Sequence, residues 1–220
     1  MNNSSNVHSA DSVRESAKKE RRQRILESAR DILREAGHQG LSIRTLAERA
    51  HVTTPTIYNL IGSKKDILLA LSDQTINELE SAHHAFRTVD PIEKAKEVIN
   101  GVVDVYGSDQ DYTRQLLLGL EAESLDDFDK TMRRRGRKVA IDDCKNALDI
   151  GCLRGEIDSE LLGIRFATGF QQAQRAWLRG EFDLERMRKE ALISCLIILA
   201  ADAKPKFHKR LIEAIHRLQL

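Results

Sequence analysis

The chain has 220 residues, of which 41% are apolar and 31% are charged, a composition ordinary for a helical protein of one or two domains with a real core. Its three cysteines have no C-x-x-C spacing, which argues against a disulfide-built scaffold and favours the reducing cytoplasm. No signal-like apolar run opens the sequence, and the most apolar stretch, residues 191–201, is only about half as long as a membrane span. We therefore expect a cytoplasmic protein without a membrane segment.

The charge of the chain is unevenly distributed. The net charge is only +1, but residues 14–65 contain 12 Lys/Arg and 6 Asp/Glu, which gives this segment +6 and the rest of the chain −5. A basic end on a mildly acidic body is the asymmetry expected when one end of a protein meets phosphate.

Apolar residues recur at helical spacing along the chain, and strand-like alternation is nowhere sustained. Each of the three prolines, Pro55, Pro91 and Pro205, falls at a plausible helix start, where a missing N–H costs little. We predict an all-α fold of nine to ten helices, in which a three-helix N-terminal headpiece precedes a larger C-terminal helical bundle.

The first predicted elements are a disordered tail and an amphipathic helix. Residues 1–18 are polar and form the tail. A basic run from Lys18 to Arg24 then leads into helix 1, which Gly37 ends. The basic run is either a solvated helix start or an arm that faces phosphate.

Residues 41–65 predict two short helices joined by a tight turn. Ser42 can N-cap helix 2, and Thr53 can N-cap helix 3 with Pro55 in its first turn. The pair His51-Val52 between them is too short for a loop, so the chain must turn sharply.

Helix 3 has one apolar and one polar face. Ile57 is expected to be buried, whereas the outward face carries short or flat polar groups: Thr54, Thr56, Tyr58 and Asn59. Two helices across a three- or four-residue turn, with the second one polar outward, form a helix-turn-helix.

This stretch resembles the TetR family of bacterial transcriptional regulators over roughly residues 19–70. The helix before the stretch and the Ser-Lys step after it match too, which makes the resemblance more specific than a bare helix-turn-helix. There are two departures: His51-Val52-Thr53 stands where the family commonly has Gly-Val-Ser, and Leu60-Ile61 stands where an aromatic pair often follows the tyrosine. The matching residues are Gly37, Gly40, Leu41, Ser42, Ile43, Leu46, Ala47, Ala50, Val52, Thr56, Ile57, Tyr58, Ser63, Lys64 and Leu68.

The resemblance implies a DNA-binding headpiece at residues 19–70 and a ligand-binding and dimerisation domain at residues 71–220. It also favours the phosphate-facing arm for the basic run. The residues expected to contact DNA are Arg44, Thr45, Thr53, Thr54, Pro55, Thr56, Tyr58, Asn59 and Lys64. For two of them an alternative stays open: Arg44 either reaches a guanine edge or pairs with Glu48 on the helix surface, and Tyr58 either binds phosphate or packs in the core.

Seven further helices are expected after the helix-turn-helix. They span about 63–84, 90–106, 116–123, 127–151, 159–179, 183–201 and 205–218. The basic run at residues 133–138 is read as a solvated face in preference to a second nucleic-acid patch.

In proteins like those of the resembled family, the last two long helices pair with their mates in a second subunit, and a small molecule enters the body. The residues expected at the dimer interface are Phe170, Trp177, Leu192, Leu196 and Leu199. The candidate walls of the ligand pocket are Tyr106, Tyr112, Phe128, Met132, Phe166, Phe170, Gln174 and Trp177.

An enzyme is the weaker interpretation. The pairs Glu80/His83 and Glu213/His216 have the spacing of di-iron bundles, but 17 Glu and 7 His produce such pairs by chance. No nucleophile motif or phosphate-binding loop is found, so we expect no catalytic residue, metal or cofactor.

The sequence therefore predicts a transcriptional regulator, most simply a repressor. It binds a near-palindromic DNA operator as a homodimer and is released by a small-molecule effector. A helical interaction protein whose headpiece no longer reads DNA, and an all-α metalloenzyme, are the alternatives.

Overall fold

The computed structural model describes the backbone of residues 4–84, 89–123 and 126–219, and within these ranges all side chains except those of 4–12, 76, 78–84 and 126–133. The described chain is helical throughout, with no strand, which confirms the all-α prediction. Its helices are α1 (Ser4–Gly40), α2 (Ile43–Arg49), α3 (Thr54–Leu60), α4 (Lys64–His84), α5 (Pro91–Ser108), α6 (Gln110–Ala122), α7 (Asp126–Asp149), α8 (Ser159–Leu178), α9 (Leu184–Ala201) and α10 (Pro205–Gln219).

The first helix differs from its prediction at the N-terminal end. Helix α1 begins at Ser4, within the segment that the sequence predicts to be a disordered tail. Residues 13–24 are all exposed, so packing does not hold this part. Once the buried stripe that starts at Ile25 has formed a helix, each further residue adds one backbone hydrogen bond at little cost, and the helix extends outward. At the other end Gly37, with φ 68°, interrupts the helix as predicted.

Side-chain caps set the starts of several helices. Asp90 accepts hydrogen bonds from the backbone N–H groups of Ile92 and Glu93 at the start of α5. Asp158 caps α8 and Asp183 caps α9 in the same way. A carboxylate in this position satisfies N–H groups that have no partner within the helix.

The structure has two compact units, and the division is not linear. The first unit comprises residues 1–76 and 109–125, and the second comprises residues 77–108 and 126–220. Helix α6 thus belongs with the headpiece, whereas the division predicted at residue 70 places it in the body. Arg34 of α1 donates hydrogen bonds to Asp109, which precedes α6, and Gln115 of α6 accepts from the backbone N–H of His38 at 3.0 Å. These contacts join α6 to α1.

In the second unit, α9 has helical neighbours on several sides. It packs against α5, α8 and α10. Three residues expected at a dimer interface are therefore buried within the single chain: Leu192 is 4% exposed, Leu196 0% and Leu199 5%. A side chain buried by its own chain has almost no surface left for a second subunit, so these three leucines offer little to a dimer interface.

Trp177 was assigned to the dimer interface as well, and it too is fully buried within the chain. Its ring stacks on that of Tyr106, with 5.4 Å between the ring centroids. Phe170 is half-buried and retains some surface.

A buried carboxylate ties the end of α9 to the turn before α8. Asp202 is 0% exposed and accepts hydrogen bonds from the backbone N–H groups of Gly155 at 2.9 Å and Glu156 at 3.1 Å. Arg154 donates to the carbonyl of Ala201 beside it. The two segments are thereby held together by charge-assisted hydrogen bonds.

Among the described residues, no helix combines the length and the apolar character that crossing a membrane requires.

Candidate nucleic-acid interface

Helix α2 begins with a reciprocal cap. Ser42 accepts from the backbone N–H of Thr45 at 3.1 Å, and the Ser42 N–H donates to the Thr45 hydroxyl at 3.0 Å. The Thr45 hydroxyl also lies 3.0 Å from the Gly40 carbonyl. Its polar atom is thus engaged in fixing the start of α2, which limits its capacity to contact DNA directly.

The turn between α2 and α3 is closed by two backbone hydrogen bonds. The N–H of Val52 donates to the Ala47 carbonyl at 3.0 Å, and the N–H of His51 donates to the Glu48 carbonyl at 3.3 Å. This is the Schellman pattern, which requires a left-handed residue just after the helix. His51 occupies that place with φ 54°, where the resembled family commonly has glycine, so the unusual residue keeps the family's turn.

Helix α3 presents its polar face to solvent. Ile57 is fully buried against the headpiece, while Thr54, Pro55 and Asn59 are exposed. Tyr58 is 57% exposed, so the core-packing alternative for this tyrosine does not hold. A helix fixed on one side and open on the other is suited to enter a groove.

The N-terminus of α3 is held by a pair of hydroxyl groups. Thr53 is the N-cap, and its hydroxyl accepts from the backbone N–H of Thr56. The two threonine hydroxyls lie 2.8 Å apart. Both can still offer an oxygen or a proton outward, because each hydroxyl can donate once and accept twice.

Arg44 lies on the outer surface of α2. Its side chain is 87% exposed, and its Nε donates to Glu48 at 3.1 Å. The surface pair with Glu48 therefore exists, but it is an exposed i, i+4 pair of small stability. The remaining guanidinium donors are free to meet another acceptor.

Lys64 has a different role from the phosphate contact expected of it. Its Nζ donates to the backbone carbonyl of His38 at 3.0 Å and lies 3.6 Å from a carboxylate oxygen of Glu123. Its side chain is only 28% exposed. In this structure Lys64 joins the start of α4 to the ends of α1 and α6, while the adjacent Lys65 is exposed.

The basic run on α1 is open to solvent. Among the described residues, four of its cations are exposed and lie in no ion pair: Lys19, Arg21, Arg22 and Arg24. By contrast, Arg49 is paired with Glu35 through two hydrogen bonds, and this pairing lowers the pKa of the Glu35 carboxyl. These four unpaired cations lie close together in the middle of α1.

The described residues expected to line a ligand pocket lie in different parts of the structure. Gln174 donates to the Tyr106 hydroxyl at 2.6 Å beside Trp177, and burial raises the pKa of Tyr106 to about 12. Tyr112 belongs to the first compact unit, where Arg30 lies 4.5 Å from its ring centroid. The side chains of Phe128 and Met132 lie outside the described residues.

Phe166 does line a cleft, together with residues that the sequence did not single out. The polar and sulfur-bearing residues that line the cleft are Lys94, Asp143, Cys144, Asn146 and Cys195. They come from three helices far apart in sequence, so no local motif marks them.

Metal binding was considered for the Glu-x-x-His pairs. Glu213 and His216 are exposed on α10, and the side chains of Glu80 and His83 lie outside the described residues. Within the described part of the chain, no group of three or more His, Cys, Asp or Glu side chains is placed to hold a metal ion.

Comparison with known proteins agrees with the arrangement of the headpiece. The family profile described as "Bacterial regulatory proteins, tetR family" matches residues 25–71. The HTH-type transcriptional repressor KstR of Rhodococcus jostii (strain RHA1) is 27% identical over 92 residues, which is 42% of this chain and 43% of that protein. The match thus spans less than half of this curated relative.

Solved structures extend the similarity in fold to most of the chain. A TetR transcription regulator from Haloarcula marismortui ATCC 43049 has a TM-score of 0.71 at 18% identity, over 84% of this chain and all of that one. SmeT, the repressor of the Stenotrophomonas maltophilia multidrug efflux pump SmeDEF, has a TM-score of 0.66 at 19% identity, over 84% and 92% of the two chains. A SmeT–triclosan complex matches as well, with a TM-score of 0.65.

Residues 25–71, which contain the capped helix-turn-helix, thus match the family of bacterial regulatory proteins described as tetR. Most of the chain also shares the all-α fold of a solved TetR transcription regulator.

Proposed function

We propose that the protein is a DNA-binding transcriptional regulator, acting in the cytoplasm as a repressor that a small molecule releases from its operator. The observation that carries the proposal is the exposed polar face of α3. The side chains of Thr54, Tyr58 and Asn59 form no hydrogen bond with any described residue, so their donors and acceptors are available. The caps around them hold the backbone in one orientation.

The roles of these residues follow from their chemistry. Asn59 offers the amide that suits adenine N6 and N7, and Arg44 offers the fork that suits guanine O6 and N7. Pro55 can contact a thymine methyl. Tyr58 can donate its phenol to a phosphate, which positions α3 without carrying sequence information.

The four unpaired cations between Lys19 and Arg24 on α1 support binding to a polyanion. Each phosphate that such a cation neutralises releases counterions, so affinity for DNA should fall steeply as salt rises. Arg21 and Arg22, which are exposed, would act as the phosphate-facing arm. Lys64 is not assigned to this role, because the protein itself engages its ammonium group.

A homodimer would place two α3 helices in successive major grooves, about 34–36 Å apart, and its operator would then be near-palindromic. The support for a dimer is apolar surface on the last two long helices of the body. Leu161 of α8 is 46% exposed and Ile197 of α9 is 54% exposed. We propose these two residues, with half-buried Phe170, as interface residues in place of those buried in the core.

The test is selection of bound fragments from a random DNA library, followed by titration of the selected duplex. We expect a near-palindromic consensus, and an affinity that falls about 10³-fold or more between about 50 and 200 mM salt. The double variant Thr54→Ala/Asn59→Ala should bind the consensus at least about 10-fold more weakly.

The matched control is His208→Ala/Gln219→Ala, which removes two exposed polar side chains from α10 and should leave binding unchanged. Selection that yields no consensus, or equal loss in both double variants, would refute a sequence-reading α3. The alternative of a helical interaction protein would then be preferred.

A further inference from the structure

A cleft lies within the second compact unit, between α5, α7, α8 and α9. Its apolar walls include Phe166, Ile198 and Leu199. Its volume is about 20 Å³, which is room for about one water molecule. An ammonium group has a similar size, so a small polar head fits the cleft as it stands, whereas a larger ligand needs the helices to move apart.

Asp143 of α7 is the carboxylate of this cleft. It is half-buried, and no described residue donates a hydrogen bond to it or pairs with it within 4.0 Å. Burial raises its pKa to about 6, so at neutral pH the group is still largely ionised. A partly desolvated carboxylate without a donor is costly to the protein, and a ligand that supplies the donor recovers that cost.

The charged groups around Asp143 do not supply the missing hydrogen-bond donor. Lys94 of α5 lines the same cleft and lowers the pKa of Asp143 through its charge alone, while the neighbouring Asp142 raises it. Lys94 also takes part in a further interaction. The cleft therefore contains a positive charge that acts on Asp143 without forming an ion pair with it within 4.0 Å.

The two thiols of the cleft act as apolar walls. Cys144 is 3% exposed and Cys195 4%. Burial raises the pKa of Cys144 to about 12 and that of Cys195 well above its ordinary value. Thiols in this state are protonated and unreactive, so they do not supply a second anion and do not favour redox chemistry.

From this geometry we propose that the cleft binds a small molecule with a protonated amine on an apolar body. The amine donates to Asp143, and the body lies against Phe166, Ile198 and Leu199 once the helices around the cleft have moved apart. The inference rests on the proposed function in one respect, since it identifies this molecule as the class of effector that the regulator answers to.

The binding test uses the full chain and simple probes. Calorimetric titration with butylammonium and hexylammonium chloride is compared with titration using the alcohols and carboxylates of the same length. We expect the amines to bind, more tightly with the longer chain, and the alcohols and carboxylates to bind at least about 10-fold more weakly, because only the amine forms a charge-assisted bond with the carboxylate.

Variants locate the site. Asp143→Asn should weaken amine binding about 10- to 100-fold, and the matched control Asp142→Asn, an exposed neighbour on the same helix, should leave it unchanged. Lys94→Met should strengthen amine binding, because it removes the competing positive charge. An unchanged or raised unfolding midpoint for Asp143→Asn shows that a loss of binding is not a loss of folding.

Several results would overturn the proposal: no amine binding, equal loss in Asp143→Asn and Asp142→Asn, or preferred binding of carboxylates that Lys94→Met abolishes. DNA binding is measured separately on the selected duplex with and without hexylammonium. Amine binding without sequence-specific DNA binding contradicts the regulator function but supports the proposal that the cleft binds an amine. Specific DNA binding without amine binding contradicts only the proposal about the cleft.

Discussion

Removal of the Asp202 carboxylate should destabilise the second compact unit strongly. Asp202 is fully buried, and its two oxygens each accept a backbone N–H, from Gly155 and from Glu156. In Asp202→Ala both N–H groups lose their acceptor. The Arg154 guanidinium, whose Nε lies 3.8 Å from the carboxylate, loses its counter-charge as well.

The size of the effect follows from the number of groups left unsatisfied. A buried donor without an acceptor costs about 1–3 kcal/mol, so two donors cost about 2–5 kcal/mol when part of that cost is relieved by water entering the space. Asp202→Asn should be destabilising too, because its amide can accept one N–H but presents its own donors to the other.

The sole tryptophan provides a suitable probe. Trp177 is fully buried in the same compact unit, so its fluorescence during urea unfolding reports on that unit. The control is Asp149→Ala, which removes an exposed carboxylate at the end of α7 and should change the unfolding free energy by less than about 0.5 kcal/mol. If Asp202→Ala were as stable as the control, the account of Asp202 as a buried clamp would be refuted.

Three further predictions concern the turn, the headpiece and the cleft. His51→Gly should stabilise the headpiece by about 0.5–1 kcal/mol. The left-handed φ costs an L-residue about 1–2 kcal/mol, and the greater entropy of glycine in the unfolded chain offsets part of the gain. A lower thermal midpoint by circular dichroism would contradict this prediction. Lys64→Met should cost about 1–2 kcal/mol through the lost bond to His38, while Lys65→Met should be nearly neutral in the same melts; equal midpoints for the two variants would show that the internal bond is unimportant. The pKa of Asp143 is raised in the folded chain to about 6, so ionisation penalises folding above that pH and the penalty disappears as pH falls towards about 4. Asp143→Asn should therefore be more stable than wild type by roughly 1–3 kcal/mol near pH 7 and equal to it near pH 4, and a urea-unfolding difference independent of pH would refute this.

Helix starts and the helix-turn-helix were predictable because their causes are local. A cap joins residues two or three positions apart, as Ser42 does with Thr45 and Asp90 with Glu93. Helical periodicity likewise placed Ile57 inside and Tyr58 outside. The polar face of α3 could be derived from residues 53–59 alone, since a helix of known start and period has determined faces.

The same local rules did not predict the N-terminal extension of α1. Polar composition predicted a disordered tail, but a helix already nucleated from Ile25 onward continues into polar residues without needing an apolar face. The composition of a segment indicates whether that segment can form a buried core by itself. It does not indicate whether an adjoining helix will continue into the segment.

The sequence by itself determined the class of fold and the identity of the helix-turn-helix. The tertiary structure decided which surfaces stay free. Lys64 is engaged by the His38 carbonyl, and Leu196 is buried within one chain. Helix α6 is joined to the headpiece through Asp109 and Arg34, which are 75 positions apart. An apolar stripe looks the same in sequence whether it meets a neighbouring helix, a ligand or a second subunit, and only the packing of distant segments selects among them.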